Sequence, residues 1–227
     1  MSISENLLNL KNNLPEGVTL VAVSKTKPVS DILEAYSTGH RIFGENKIQE
    51  LVTKYEEMPK DIEWHMIGHI QRNKVKYMAP FVSLIHAVDS LRLLREINKQ
   101  ALKNNRVIEC LLQIKIASEE SKFGLTEAET MSILTSEDFK TFQNIKLVGL
   151  MGMATFTDNK EQLQNEFGLL KSIFDNICQL DTANCQLETL SMGMSDDYPI
   201  AINNGSTMIR VGSSIFGKRA CALDFKG

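Results

Sequence analysis

The amino-acid sequence predicts an α/β fold built as a single (β/α)8 barrel, the architecture known as the TIM barrel. Eight short apolar runs alternate with longer amphipathic segments along the 227 residues. This alternation is typical of βα units that share a parallel sheet. No linker rich in Pro, Gly or Ser and no run of like charge divides the chain, so we expect one domain over residues 1–227. Eight units in one domain favour a closed barrel over the alternative, an open doubly wound sheet.

The predicted strands are short and nearly continuous in apolar character, as expected of strands that are covered on both faces. Most are rich in Leu or β-branched residues, and the second and eighth have the weakest patterns. In chain order the strands are Thr19–Val23, Arg41–Phe43, Trp64–Ile67, Leu84–Ala87, Val107–Ile116, Lys146–Met151, Leu187–Leu190 and Met208–Val211.

The predicted helices lie between these runs and carry apolar residues at three- and four-residue spacing. The clearest are Glu45–Glu57, Leu91–Lys103 and Glu161–Ile177. Ser90 stands at the N-cap position of the second, and Thr126 with Glu129 forms the pattern of a capping box. An extra amphipathic segment, Ile3–Leu14 within residues 1–15, is expected to pack across one end of the barrel.

Composition and charge exclude several classes of protein. No apolar run approaches the about 18 to 20 residues of a membrane span, and Met1–Leu10 lacks a signal-peptide core. A net charge of -3 argues against a general nucleic-acid binder, because phosphate contacts need a surplus of Lys and Arg. The four cysteines show neither zinc-ligand spacing nor a disulfide pattern, so we expect no metal. We therefore expect a cytoplasmic protein without membrane or nucleic-acid partners. We also expect a monomer, since no heptad pattern or long apolar edge demands association.

Small residues concentrate at the carboxyl ends of the last two strands, where barrels place their chemistry. Ser191 ends the seventh strand region, and Gly212 and Ser213 follow the eighth. Glycine and serine allow a phosphate to approach backbone N–H groups closely. Either stretch alone is compatible with an ordinary turn, but both together favour a phosphate site. The patterns of nucleotide-binding loops are absent.

Lys25 follows the first strand at the same end of the barrel. A lysine at an apolar mouth loses hydration, which favours the neutral amine that attacks a carbonyl. The alternative is a solvated lysine on the rim. A phosphate ester that carries a carbonyl would satisfy both the amine and the phosphate site, and pyridoxal 5'-phosphate (PLP) is such a ligand.

Three further residues have candidate roles toward this ligand. The guanidinium of Arg210 could face the pyridine nitrogen, where a cation disfavours protonation of the ring; a salt bridge inside the barrel is the alternative. Asn46 and His69 are candidates to contact the ring or its support, and a hydrogen-bonded core histidine is the alternative for His69.

Five stretches of the sequence carry a resemblance to a known family. They are VAVSKTKP at 21–28, FGENKIQE at 43–50, WHMIGHIQRNK at 64–74, SMGMSDD at 191–197 and RVGSSIFG at 210–217. In this order and over nearly the whole chain, the sequence resembles the pyridoxal phosphate homeostasis proteins.

The resemblance implies a barrel of the alanine racemase N-terminal type with PLP as cofactor. Lys25 would form the covalent aldimine, while Ser191, Gly212 and Ser213 would hold the phosphate. Arg210 would face the pyridine nitrogen, and the ring would be lined by Asn46 and Met192. The segment Ser118–Gly124 is similar to the family's lysine-containing loop. The resemblance does not assign a role to Lys122 in that loop.

The tyrosines bear on whether such a protein is an enzyme. A two-base racemase needs a second acid/base opposite Lys25, and alanine racemases take a tyrosine from an additional β domain. Tyr36, Tyr55 and Tyr77 fall on predicted helices, and Tyr198 lies just after the seventh-strand loop. We therefore expect no catalytic residues and a PLP-binding protein that buffers or delivers the cofactor. The alternatives are a small PLP-dependent amino acid racemase and a module that hands PLP to apo-enzymes.

Overall fold

Eight parallel strands close into a barrel in the computed structural model, which describes residues 2–118, 123–179 and 185–217. Each strand pairs with its neighbours in chain order, and the first strand also pairs with the last. The strands are β1 Thr19–Val23, β2 Ile42–Glu45, β3 Glu63–Met66, β4 Leu84–Val88, β5 Ile108–Ile114, β6 Ile145–Gly152, β7 Cys185–Ser191 and β8 Met208–Val211. The predicted (β/α)8 barrel is confirmed.

The helices of the described segments surround this sheet. They are α1 Ile3–Asn12, α2 Val29–Ser37, α3 Ile48–Glu57, α4 Val75–Met78, α5 Leu91–Lys103, α6 Glu127–Thr135, α7 Glu137–Lys140, α8 Lys160–Cys178, α9 Tyr198–Asn203 and α10 Ser213–Phe216, with a 3-10 turn at Arg72–Lys74. None of them combines the length and apolarity that crossing a bilayer requires.

The predicted bounds hold for β1, β8 and α5, and both predicted caps are present. Ser90 accepts a hydrogen bond from the backbone N–H of Leu93, and Thr126 and Glu129 form a complete capping box.

The second βα unit differs from the prediction. Its strand extends to Glu45, and the helix begins only at Ile48, because Lys47 has the extended conformation of an N-cap residue. Glu45 is therefore a buried strand residue and not part of a helix.

Two apolar cores hold the barrel. The larger lies between the sheet and the helices and includes Trp64, Phe43 and Phe167, each without exposed surface. A smaller core fills the barrel interior with Val21, Leu84, Ala87, Leu111, Val148, Met151 and Met208. The N-terminal helix α1 belongs to the outer layer. Its Leu7 is fully buried, and it packs against α2 and α10.

A glycine in α8 offers a test of this packing. A Cβ at Gly168 would approach only the Asn204 Oδ1 atom, at 3.8 Å. Alanine is favoured over glycine in a helix interior by about 1 kcal/mol, because glycine loses more backbone entropy on folding. Gly168→Ala is therefore expected to raise the free energy of unfolding by about that amount, measured by urea denaturation. A loss of stability would show that α8 cannot accept a methyl group here.

Candidate functional site

A pocket of about 260 Å³ opens at the carboxyl ends of the strands. Five of the residues predicted from sequence line it, namely Lys25, Asn46, Arg210, Gly212 and Ser213. A wider cavity of about 730 Å³ adjoins it and shares the residues Phe156, Met194, Asp196 and Ser213. A separate cavity of about 510 Å³ lies at the amino ends of β1 to β3 and contains none of the predicted residues. Since barrel chemistry sits at the carboxyl ends, the smaller pocket is the candidate site.

The pairing of β1 with β8 brings the predicted residues together. Val21 lies beside Arg210, and Ala22 lies beside Val211. Lys25 and Gly212 therefore leave neighbouring strands at the same end of the barrel. The Gly212 backbone passes close to β1, since a Cβ there would stand 3.1 Å from the Val23 carbonyl oxygen. Its N–H donates to the Ser195 hydroxyl at 3.3 Å.

Arg210 is almost fully buried beneath the pocket, and backbone and hydroxyl acceptors hold its guanidinium. Nη1 donates to the carbonyl oxygen and the hydroxyl of Ser191, at 2.8 and 2.6 Å, and Nη2 donates to the Gly152 carbonyl oxygen at 3.0 Å. A guanidinium has five N–H groups. Two of them, on Nε and Nη2, are thus unused by the described residues. Burial lowers the pKa of Arg210 to about 10, opposed by the charge of Asp197, so Arg210 is a cation at neutral pH.

A buried polar chain continues from Arg210 along the barrel interior. The Ser191 hydroxyl lies 3.1 Å from His86 Nδ1, and His86 Nε2 lies 3.1 Å from His65 Nδ1. Because Arg210 donates to the Ser191 oxygen, the Ser191 hydroxyl hydrogen is free to donate to His86 Nδ1. His86 Nε2–H then donates to His65 Nδ1. This direction gives every member a partner and assigns the Nε2–H tautomer to both histidines.

Both histidines of this hydrogen-bonded chain, His65 and His86, are neutral. Burial lowers the pKa of His65 to about 3, with a smaller effect of His40 in the same direction. Burial, followed by the charges of His65 and Arg210, lowers the pKa of His86 well below its usual value. Sequence reasoning missed these two residues. The signal was a histidine within each of the apolar patterns of β3 and β4, where an inward polar side chain needs a partner.

Ser191 and Met192 do not line the pocket. The Ser191 side chain points into the barrel interior and is held by Arg210 and His86. Met192 has no exposed surface and belongs to the core between sheet and helices. Neighbouring residues at the end of a strand face opposite sides of the sheet, so both cannot point to one ligand.

His69 lies outside the pocket lining and is about half exposed. Its Nδ1 atom is 3.4 Å from the Asp89 carboxylate, and its ring stacks on Phe123 with centroids 5.0 Å apart. Asn46 packs on Gly68, where a Cβ would come within 2.3 Å of the Asn46 carbonyl oxygen. Lys122 lies outside the described residues. Within the segments that are described, no group of three or more His, Cys, Asp or Glu side chains is placed to hold a metal ion.

Comparison with known proteins shows the family to which the chain belongs. The family model for the alanine racemase N-terminal domain matches residues 1–220. The protein of Haemophilus influenzae named pyridoxal phosphate homeostasis protein is 39% identical over 212 residues, which cover 92% of this chain and 88% of that protein. The human protein of the same name is 39% identical over 227 residues, covering 91% and 82%.

The chain belongs to the pyridoxal phosphate homeostasis protein family. A solved structure of PipY from Synechococcus elongatus with PLP bound is similar, with a TM-score of 0.87 and 34% sequence identity. The alignment covers 95% of this chain and 100% of PipY. Alanine racemase from E. faecalis shares the fold at 16% identity and a TM-score of 0.74, over 96% of this chain but 58% of the racemase. Family membership therefore agrees with the resemblance seen in the sequence.

Proposed function

We propose that this protein binds PLP through Lys25 and serves in the intracellular handling of the cofactor, by buffering or delivery. The observation that carries the proposal is the placement of Lys25, Arg210, Gly212 and Ser213 around one pocket by the adjacent strands β1 and β8. The PLP complex of PipY supports it, because PipY aligns with 95% of this chain.

The donor set of the pocket fits PLP. The cofactor supplies an aldehyde that reacts with a primary amine, a phosphate and an electron-withdrawing pyridine ring. Lys25 is the amine, and the Gly212–Ser213 backbone is the proposed phosphate contact. Arg210 offers two unused N–H groups and a fixed positive charge, which would disfavour a proton on the pyridine nitrogen. The volume of 260 Å³ is close to the lower end of small-molecule sites, about 300 Å³, and the adjoining cavity extends it.

The other predicted residues take supporting roles in this proposal. Ser191 orients Arg210, because its carbonyl oxygen and its hydroxyl oxygen both accept hydrogen bonds from Arg210 Nη1. Asn46 remains a contact to the ring, because it lines the pocket. His69 is proposed to support the site from outside its lining, whereas Met192 is fully buried and also lies outside the lining.

A role without catalysis is part of the proposal. The tyrosines are the natural candidates for the second acid/base of a racemase, and none lines the pocket. Tyr36, Tyr55 and Tyr77 lie on α2, α3 and α4, and Tyr198 begins α9 and packs against the outer core. Deuterium exchange at the α-carbon of a panel of amino acids, compared with free PLP, would detect a racemase. Transfer of PLP to an apo-enzyme faster than from free solution would support a role in delivery.

The attachment site has a direct test. The wild-type protein mixed with PLP is expected to show the absorption band of a lysine-bound cofactor, and borohydride reduction followed by peptide mapping should label Lys25. Lys25→Ala should lose the band, because no amine remains at that position. Lys47→Ala is the matched control, since Lys47 is exposed and lies outside the pocket lining. A label on another lysine, or a band that survives in Lys25→Ala, would overturn the assignment.

A further inference from the structure

The backbone directly after Lys25 has an unusual conformation. Thr26 has φ +65°, in the left-handed region that β-branched residues avoid. Such a conformation persists only where the surroundings hold it, and backbone strain of this kind concentrates at functional sites. The turn that carries Lys25 therefore requires a structure that fixes it.

Three side chains supply that structure, and we name them the carboxylate–lysine cluster: Glu45, Glu50 and Lys54. Glu50 Oε1 accepts the N–H of Thr26 at 2.6 Å. On the other side of Lys25, Lys54 Nζ donates to the Ser24 carbonyl oxygen at 2.8 Å, and the Ser24 hydroxyl donates to Glu45 Oε1 at 2.5 Å. Both chain neighbours of Lys25 are thus held by the same cluster.

Hydrogen bonds within the cluster fix the position of the Lys54 ammonium. Lys54 Nζ lies 2.7 Å from Glu45 Oε1 and 2.7 Å from Glu50 Oε1. Together with the Ser24 carbonyl oxygen, these acceptors occupy all three N–H groups of the ammonium. The Lys54 side chain is 6% exposed and the Glu45 side chain is not exposed. Glu50 and Lys54 are one helical turn apart on α3. The position of α3 therefore fixes the loop that carries Lys25.

We propose that the carboxylate–lysine cluster positions Lys25 for its reaction with PLP. The inference rests on the proposed function, because it takes Lys25 as the attachment site. A buried ion pair is often no more stabilising than an apolar pair of the same size, so stability alone does not account for the cluster. Its contacts to Ser24 and Thr26 give it a specific consequence, the direction in which the Lys25 side chain leaves the backbone.

Three variants test the proposal. Glu50→Ala removes the acceptor of the Thr26 N–H and is expected to weaken PLP binding by about tenfold, because hydrogen bonds to charged groups are among the stronger ones. Glu50→Gln keeps an acceptor oxygen and should retain most of the affinity. Glu57→Ala is the matched control, since it removes an exposed carboxylate from the same helix. Affinity is measured by absorbance titration with PLP, and the melting temperature of each PLP-free variant is recorded beside it.

A second substitution separates positioning from general stability. Glycine adopts positive φ without the steric penalty of threonine. Adding Thr26→Gly to Glu50→Ala is therefore expected to restore part of the lost affinity, because the turn no longer depends on Glu50 to hold a strained residue. In the wild-type protein, the Thr26 amide should exchange slowly with deuterium, and this measurement does not depend on any variant.

Several results would overturn the positioning role. They are wild-type affinity in Glu50→Ala, an equal loss in Glu57→Ala, a loss of affinity that only follows the melting temperature, or rapid exchange of the Thr26 amide. If wild-type protein binds no PLP at Lys25, the proposed function itself is wrong. If it binds PLP there and Glu50→Ala binds equally well, only the positioning role is wrong.

Discussion

Acidification from pH 7 to pH 5 is expected to lower the free energy of unfolding by up to about 6 kcal/mol. Three buried histidines cause this loss. Burial lowers the pKa of His40 to about 4 and of His65 to about 3, and it lowers the pKa of His86 well below its usual value. In the unfolded chain all three bind a proton near pH 6.5, while the folded protein does not. Each therefore contributes a loss of about 2 kcal/mol at pH 5.

The sign of this effect follows from proton binding. Between pH 6.5 and the lowered values, the unfolded state binds more protons, so stability falls as the pH falls. Burial raises the pKa of Glu45 and of Asp197, and these two carboxyl groups act in the opposite direction because the folded protein takes up their protons first. A total stability of about 5 to 15 kcal/mol is usual for a domain, so the histidine effect is a large fraction of the total stability.

Urea denaturation at a series of pH values measures this dependence. His40 offers the control because it lies outside the buried polar chain and makes one side-chain hydrogen bond, from its Nε2 atom to the Ile42 carbonyl oxygen at 2.8 Å. His40→Gln should reduce the slope of stability against pH by about one third between pH 6 and pH 5. A wild-type stability that stays constant over this range would contradict the neutral buried histidines.

Replacement of Lys54 by methionine is expected to cost about 3 to 5 kcal/mol, because it leaves the Glu45 carboxylate buried without its cation. Glu45 already has one oxygen, Oε2, without a hydrogen-bond partner among the described residues. Removal of the ammonium also takes away the hydrogen bond that Lys54 donates to the Ser24 carbonyl oxygen and the one that it donates to the Glu50 carboxylate. Chemical denaturation at pH 7 gives the loss directly.

The pH dependence of the Lys54→Met variant separates charge from packing. At lower pH Glu45 can take up a proton, so the difference from wild type should shrink as the pH falls toward 5. The double variant Glu45→Gln with Lys54→Met removes both charges and should recover much of the lost stability. A difference that is the same at every pH, with no recovery in the double variant, would assign the loss to packing.

The barrel could be predicted from sequence because apolar runs and amphipathic segments are local patterns. The bounds of β1 and β8 follow from such runs, and so does the end of the barrel at which Lys25, Arg210 and Gly212 meet. The boundary of β2 was wrong because Glu45 is charged. The buried carboxylate is paired with the ammonium of Lys54, which comes from the next helix, and the sequence pattern of the strand does not reveal this partner.

The interior of the site was less accessible to sequence reasoning. The chain of Arg210, Ser191, His86 and His65 joins four strands, and no local pattern indicates which inward side chains face one another. Phosphate binding by Ser191 was predicted from its position at a strand end. In the structure its hydroxyl oxygen accepts a hydrogen bond from Arg210 on the neighbouring strand, a partner that the sequence does not indicate.

The pairing of β1 with β8 has a consequence for how the protein is made. Lys25 follows the first strand, while Arg210 and Gly212 belong to the last one and the turn after it. Synthesis proceeds from the N-terminus, so the ribosome releases one side of the pocket long before the other. The contacts that close the barrel are the most distant along the chain and carry the largest loop-closure cost. Occupancy of the pocket would thus require that β8 has been synthesised and paired with β1, and a ligand there would selectively stabilise molecules with a closed barrel.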